Sequence, residues 1–309
     1  MRVTGVRLAA ALLPAVMLTA ATLGTAPIAV AAPPVQVFAG PARGLVRPHG
    51  ASPAAATSRK TTANMTYHGG RIMPTAVTRA IFWGTSWGTY SGDKVTGIDT
   101  WYAGYSGSSY AKTTTEYTGT NGRVGATTTY QGHVVDTSAA AGGGSTSAIL
   151  AEVAKQVTAG SIVLDPAGNS YVPVYTDLPR GNAGYCAWHS AGTIGPTPVQ
   201  FAFFWKLDGD PGCDPGDTSG LHSQGLAALA NVSAHELAEA QTDPASPGAW
   251  YDSRGYENGD KCAWTFGAPL VTLSDGSQWK IQGEWSNAAY TAGTGYANSS
   301  GQKGCLSGL

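Results

Sequence analysis

The sequence predicts an α+β fold in which a single mixed β-sheet carries packed helices. Strand patterns and amphipathic helix patterns are both present, and they succeed one another without the strict alternation of a parallel α/β protein. No second linker interrupts residues 63–309, so we expect one domain there. Charged residues make up only 12% of the chain and Gly is abundant, which is typical of turn-rich and strand-rich extracellular proteins.

Individual elements can be assigned from local patterns. The clearest strand pattern, Ala76–Trp83, comes after Pro74 and stops at Gly84. The clearest helix pattern is Ser147–Thr158, whose apolar residues fall on one face before Gly160. We also predict strands at 171–175 and 199–205, hairpins at 113–135 (turning at Asn121-Gly122) and 270–282, and helices at 95–103 and 221–241.

The first 31 residues have the features of an export signal. Arg2 and Arg7 precede an apolar run over 8–23, and Ala29-Val30-Ala31 fits the A-x-A pattern that signal peptidase recognises. The run is short for a membrane span of about 20 residues, and Pro14 interrupts it. We therefore predict a secreted protein whose signal is cleaved after residue 31 and which keeps no membrane anchor.

Residues 32–62 have a different composition from the rest. They are rich in Pro, Ala, Gly and Ser and contain few large apolar side chains. Such a segment buries too little apolar surface to offset the entropy lost on ordering. The sequence predicts a linker or a short pro-segment here, ahead of the domain at 63–309.

Composition and cysteines narrow the class of protein further. The formal net charge is −1 and the basic residues are scattered, which indicates no nucleic-acid surface and no anionic-lipid patch. The four cysteines of an exported chain predict two disulfides. Three pairings are open, and we favour the neighbouring pairs Cys186–Cys213 and Cys262–Cys305. A cysteine-based zinc site is disfavoured because no C-x-x-C occurs.

The stretch Ser233–Glu239 carries the most chemistry. His235 and Glu239 are four residues apart, so a helix places both on one face and both can bind one ion. Glu236 comes directly after the first ligand, where H-E-x-x-H metallopeptidases carry their general base. Zinc accepts N and O ligands and makes a bound water acidic enough for a nearby carboxylate to deprotonate. This pattern predicts a zinc site on a zincin-like helix, with Glu236 as the catalytic base.

A third ligand has to come from outside that helix. Glu257 is our first choice and Asp260 our second, because Pro244 ends the helix and lets the chain turn back, with Cys262 able to pin the loop. His189, in Cys186-Ala-Trp-His, is a third candidate from a distant part of the chain.

These residues also have interpretations without a metal. His235, Glu239 and Thr242 could be the solvated face of a helix whose Leu and Ala residues face the core. Glu257 and Asp260 could belong to an ordinary turn.

Two other motifs point to different sites. Gly84-Thr-Ser86-Trp-Gly88 matches the G-x-S-x-G pattern of serine hydrolases, but the next residues, Thr89-Tyr-Ser-Gly92, are a poor helix start. The loop 208–217 resembles a calcium loop, but it has Gly212 where the EF-hand pattern requires Asp or Asn. Both sites are disfavoured.

An ordered set of motifs runs through most of residues 66–265, namely Tyr67–Pro74, Arg79–Gly84, Trp87, Gly184–His189, Gln200–Trp205, Ser233–Glu239, Thr242–Pro244, Ala249–Tyr251 and Glu257–Cys262. In these motifs the chain resembles the Exordium family, also called phosphate-induced proteins, which are secreted proteins known from plants with bacterial relatives. The family implies export and a role at the cell wall or in extracellular growth signalling, without a settled activity. Some members keep the H-E-L-A-E stretch and the downstream acids and others lack them, and this chain resembles a bacterial-type member that keeps them.

These observations lead to two functional hypotheses. The first is a secreted, Exordium-like, metallopeptidase-like hydrolase with a zinc site at His235, Glu239, Glu257 and Asp260, acting on a peptide or a cell-wall substrate. The second is a non-enzymatic extracellular binding protein in which any metal is structural. Nine Trp and fourteen Tyr could supply stacking platforms for its ligand. Full function after Glu236→Gln would favour the second hypothesis.

Overall fold

The computed structural model of the protein describes residues 1–2, 36–50, 63–245 and 247–309. Apart from its first two residues, the predicted export signal lies outside this range, as does part of the predicted linker. The part of the chain that is described has sixteen strands and five α-helices. Seven of these strands form a mixed sheet with helices on both faces, and the others form small separate sheets. The predicted α+β class is confirmed.

The strands are β1 (Val37–Ala39), β2 (Arg43–Val46), β3 (Thr66–Tyr67), β4 (Val77–Trp83), β5 (Thr118–Gly119), β6 (Gly122–Arg123), β7 (Thr129–Asp136), β8 (Ser170–Pro179), β9 (Ala187–Ile194), β10 (Thr197–Lys206), β11 (Trp250–Tyr251), β12 (Val271–Thr272), β13 (Gln278–Trp279), β14 (Glu284–Trp285), β15 (Tyr296–Ala297) and β16 (Lys303–Leu306). The α-helices are α1 (Lys94–Tyr105), α2 (Thr146–Thr158), α3 (Gln224–Thr242), α4 (Asn258–Lys261) and α5 (Asn287–Ala292).

The main sheet has the strand order β1-β9-β10-β8-β4-β7, and β2 also pairs with β9. Strands β10, β8, β4 and β7 form a parallel set, whereas β9 runs antiparallel to β10. Strands β1 and β2 are antiparallel to β9. The outer side of β9 is therefore covered by strands from the N-terminal part of the chain.

Side-chain alternation divides the core into two layers. In β10, Phe201 and Phe203 pack with α2, while Ala202 and Phe204 pack with α1 and α3 on the opposite face. Strand β9 has the same alternation, since Trp188 belongs to the α2 layer and Ala187 to the other. This alternation places His189 on the α3 face of the sheet.

Helix α3 is capped at its N-terminus by Ser223, whose hydroxyl accepts a hydrogen bond from Leu226 N at 3.2 Å. It ends at Thr242, and its C-cap is Asp243, immediately before Pro244. Every residue from Gly225 to Thr242 is buried, so the helix is covered on all sides. The alternative in which His235, Glu239 and Thr242 form a solvated face is therefore wrong.

The prediction of a linker is also wrong for residues 36–50. Strands β1 and β2 pair with β9, and Val46 is fully buried in the core. The prediction considered only the apolar surface that the side chains of this segment can bury, and it did not consider backbone pairing. Backbone hydrogen bonds to the sheet edge, such as Gly40 N to Ala191 O at 2.7 Å, contribute to its ordering instead.

The large hairpin predicted over 113–135 is not formed. Only β5 and β6 pair across Asn121, and β7 joins the main sheet parallel to β4. The predicted turn is present, but β7 pairs with β4. Because β4 is a buried strand of the main sheet, this pairing buries more of β7 than a local hairpin would. The smaller hairpin predicted at 270–282 is present as β12 and β13.

Both preferred disulfides are confirmed. Cys186 is bonded to Cys213 and Cys262 to Cys305, and all four cysteines are buried. Among the described residues, no helix combines the length and apolar character needed to cross a membrane.

Candidate metal centre

The face of α3 that points at the end of β9 carries two of the predicted ligands. Nε2 of His235 lies 2.9 Å from Oε1 of Glu239, and neither side chain has any exposed surface. The helix brings them together because they are one turn apart.

Helix α4 brings the downstream acids to the same place. The backbone N–H of Asp260 donates to Oε1 of Glu239 at 2.8 Å, and Oδ1 of Asp260 lies 3.7 Å from Nε2 of His235. The Asp260 carboxylate also accepts a hydrogen bond from Glu257 N at 3.2 Å. Cys262, bonded to Cys305, holds the end of this helix.

His189 completes the cluster from the sheet. Its Nε2 lies 3.6 Å from Oε2 of Glu239 and 3.5 Å from Oε2 of Glu257. Two of the three candidates for the third ligand, Glu257 and His189, are thus neighbours. The sequence ranks His189 third among the candidates for the third ligand. In the structure, His189 is the residue that links Glu239 of α3 to Glu257.

The polar atoms that converge here lack ordinary hydrogen bonds. Among the described residues, no hydrogen-bond partner exists for Nε2 of His189, Nε2 of His235, Oε2 of Glu239 or Oε2 of Glu257. Leaving such groups buried and unpaired costs about 1–3 kcal/mol each, and more when they are charged. Two ligands bound to one tetrahedral zinc at about 2.0–2.1 Å are roughly 3.3 Å apart. The observed separations of 2.9, 3.5 and 3.6 Å lie around that value for single pairs of donors. Among the described residues, the donor atoms that all lie within 4.8 Å of one another form two groups that share Glu239, namely His189, Glu236 and Glu239, and His235, Glu239 and Asp260. Either group could hold one ion.

The cluster contains more carboxyl groups than groups that can carry a positive charge. Burial, and then the charge of Glu239, raise the pKa of Glu257 well above its usual range and that of Asp260 to about 7. Burial alone would raise the pKa of Glu239, but His235 and His189 hold it at about 2. Burial alone would lower the pKa of His235, but Glu239 raises it to about 9. A divalent cation would relieve this excess of carboxylates and leave the imidazoles neutral.

Glu236 lies beside these groups. One of its carboxylate oxygens lies within 4.8 Å of donor atoms of both His189 and Glu239. Its side chain is fully buried, and neither oxygen has a partner among the described residues. Burial, and then Glu239, raise the pKa of Glu236 well above its usual range. A buried glutamate without a hydrogen-bond partner, next to a metal site, is placed to accept and return a proton.

Two further residues near the centre have no counterpart in the sequence-based prediction. Glu284 on β14 is fully buried, and its Oε1 accepts a hydrogen bond from Tyr110 at 2.8 Å, while Oε2 has no partner among the described residues. Arg43 on β2 donates to Asp243 at 2.7 Å, just beyond α3. A short Gly-Glu-Trp stretch and an Arg in a Pro-rich segment carry no local signal, so only the fold could reveal them.

The ring of His235 is oriented by Gln282. Nε2 of Gln282 lies 3.1 Å from Nδ1 of His235 and donates to Gly259 O at 2.9 Å. Metal-bound imidazoles usually donate their second N–H to an oxygen. An ion on Nε2 of His235 therefore requires the amide of Gln282 to turn and present its oxygen to Nδ1.

Two rival sites do not form. The Ser86 hydroxyl donates to the Asp177 carboxylate at 3.0 Å, whereas a hydrolase nucleophile bonds to an imidazole. In the loop 208–217, Asp210 accepts from Arg180 at 2.5 and 3.0 Å, and Asp208 accepts from Lys94 at 2.6 Å. These carboxylates are engaged in ion pairs rather than arranged for calcium.

Comparison of the chain with protein-family profiles, with curated proteins and with solved structures gives no match. The resemblance to the Exordium family therefore stays a prediction that rests on sequence motifs.

Proposed function

We propose that this protein is a secreted zinc-dependent hydrolase that cleaves peptide bonds. One observation carries the proposal. Buried donor atoms from β9, α3 and the Glu257 loop converge at the spacing of zinc ligands without hydrogen-bond partners among the described residues, beside an equally unpartnered glutamate.

In this proposal His189, His235 and Glu239 hold the ion and Glu257 supplies a fourth ligand. The side chains must close up on binding, because His189 and His235 belong to two different groups of mutually close donors that share Glu239. Asp260 positions the site, since its N–H fixes the orientation of the Glu239 carboxylate. This ligand set differs from the one predicted from the sequence, which includes Asp260 as a ligand and His189 only as a third candidate. Two imidazoles with carboxylates match the ligand types of known catalytic zinc sites.

A zinc ion held by these residues would supply Lewis-acid chemistry to a substrate carbonyl and to a water molecule. Glu236 would act as the general base, taking a proton from the attacking water and returning it to the leaving amine. The surrounding burial keeps bulk water away, which strengthens each electrostatic interaction in the centre.

Export is part of the proposal and has separate support. The two disulfides suit an oxidising compartment, and the N-terminal pattern is that of an export signal. The Exordium resemblance points the same way.

The first test is the metal content of untagged protein by mass spectrometry, for which we expect about one zinc per chain. The second compares Glu236→Gln with Glu152→Gln, a control that changes another buried helical glutamate in a different helix, α2. We expect Glu236→Gln to retain zinc and to lose turnover of a peptide library by about 10²–10⁴-fold.

Two outcomes would contradict the proposal. Absence of bound zinc, with no effect of added zinc on thermal stability, would remove the metal site. Bound zinc with full function in Glu236→Gln would favour the non-enzymatic binding protein with a structural metal.

A further inference from the structure

The N-terminal residues 36–50, which we call the strap, lie directly on the candidate metal centre. Gly44 is buried and has a φ of +50°, a conformation that favours glycine. A Cβ atom built on Gly44 would clash with Oε2 of Glu239 and would lie 2.9 Å from Nε2 of His189. The backbone of the strap therefore touches the atoms that are proposed to bind zinc, and no larger residue fits at this point.

The strap is bound as an extended chain on the edge of the sheet. Val37 to Ala39 pair antiparallel with Gly192 to Ile194, and Arg43 stands opposite His189 itself. Val46 O accepts a hydrogen bond from Cys186 N at 2.7 Å. Backbone pairing of this kind binds polypeptides with little regard to sequence, and side-chain pockets add the selectivity.

Side-chain contacts anchor the strap on both sides of Gly44. On one side, Arg43 donates to the buried Asp243 at 2.7 Å. On the other, Trp264 Nε1 donates to Arg47 O at 2.7 Å, and Val46 is fully buried. A strand that served only to cover the sheet edge would need neither the ion pair beyond α3 nor a glycine against Glu239.

The strap also borders the open space next to the centre. A cleft of about 650 Å³ is lined by residues 45 and 47–50 on one side and by Asp260, Trp264 and residues 298–300 on the other. Asp260 thus connects the buried cluster with the surface along the path of the strap.

We infer that the strap occupies the place of the substrate on the edge of β9, so that the site accepts an extended polypeptide, antiparallel to β9, with a glycine at the metal centre, and is closed until the strap is displaced. This inference rests on the proposed function for its catalytic meaning, but the binding of a polypeptide to β9 can be tested without zinc or turnover.

The test uses the full chain and a fluorescent peptide with the sequence of Val37–Val46, and fluorescence anisotropy is the readout. Arg43→Ala removes the ion pair with Asp243, and Gly44→Ala places a side chain where none fits. Arg47→Ala is the matched control, because it removes the same charge from an exposed neighbouring position. We expect Arg43→Ala to bind the peptide about tenfold or more tightly than wild type, as loss of a charged hydrogen bond frees the cleft. Gly44→Ala should also bind the peptide more tightly than wild type, and Arg47→Ala should bind it with the wild-type affinity.

A second peptide, with Ala in place of the residue equivalent to Gly44, should not bind. In the Arg43→Ala background, hydrolysis by a zinc-loaded sample should also rise, and the Glu236→Gln comparison is best made there.

The inference is overturned if folded Arg43→Ala binds the peptide no better than Arg47→Ala, or if the alanine peptide binds equally well. Arg43 is partly exposed, so its replacement should not prevent folding. Zinc binding without peptide binding would refute this inference alone, whereas peptide binding without zinc would refute only the proposed hydrolase.

Discussion

Nε2 of His189 lies 3.6 Å from Oε2 of Glu239, and the two residues come from β9 of the main sheet and from α3, the longest helix in the described part of the chain. Strand alternation points His189 at α3, and the helical turn points Glu239 at β9. Both atoms are buried and neither has a hydrogen-bond partner among the residues described. This contact makes His189 a ligand candidate equal to the residues of α3.

The first prediction concerns His189. We expect His189→Ala to lower zinc affinity by at least about 100-fold, since loss even of an outer-shell partner typically costs about 10–100-fold. The control is His222→Ala, which removes an imidazole that is paired with Asp217 and stacked on Trp279. Competition with a chromogenic chelator measures both affinities. Equal affinities in the two variants would exclude His189 as a ligand.

The second prediction concerns the effect of metal on stability. Zinc at about 100 times its Kd should stabilise the folded state by about 2.7 kcal/mol, because the ion binds only the folded site. For a domain of this size that corresponds to a rise in Tm of about 5–10 °C. EDTA should reverse the rise, and His235→Ala should show none. A rise of the same size in His235→Ala would place the metal elsewhere.

The third prediction tests the orientation of His235. Gln282→Leu removes the amide next to Nδ1 while nearly preserving volume, so zinc affinity should fall about 10–100-fold. Gln278→Leu changes an exposed glutamine nearby in the chain and should have no effect. Affinities are to be measured well below the Tm of each variant, so that a loss of stability is not mistaken for a loss of binding. Unchanged affinity would mean that Gln282 has only a packing role.

The fourth prediction concerns the disulfide next to the centre. Replacing Cys262 and Cys305 by Ser removes a cross-link between residues separated by 43 positions, which should lower the free energy of unfolding by about 4 kcal/mol. It should also weaken zinc binding, since Cys262 holds the end of α4. Urea unfolding and chelator competition are the measurements. Undiminished zinc affinity would mean that α4 is fixed by its other contacts.

The fifth prediction is a pH dependence away from the centre. Burial alone would raise the pKa of Asp136, but Lys155 and Ser138 hold it well below its usual range. Because the folded pKa is lower than the unfolded one, the stabilisation is present above about pH 4 and is lost as the pH falls further. Asp136→Asn should therefore destabilise the protein by about 1 kcal/mol at pH 7. The difference from wild type should shrink towards about pH 2 in urea unfolding. A difference that does not change with pH would contradict this role of Asp136.

The fold class and most main elements could be predicted because they depend on local patterns. The helix at 147–158, the strand at 76–83 and the helix that carries His235 are all present close to their predicted bounds. The hairpin over 113–135 could not be judged locally because its second half is stabilised by a distant strand, β4. The order of residues 36–50 depends on hydrogen bonds to β9, which no local pattern encodes.

The sequence by itself determined the donor types of the candidate site and the pair on α3, because a spacing of four residues sets a distance within a helix. Only the tertiary structure decided that His189 and Glu257 join this pair, that Glu284 and Gln282 surround it, and that Gly44 lies against it. Those contacts join segments far apart in the chain. Their geometry depends on how the sheet, α3 and the strap pack together, which no local spacing specifies.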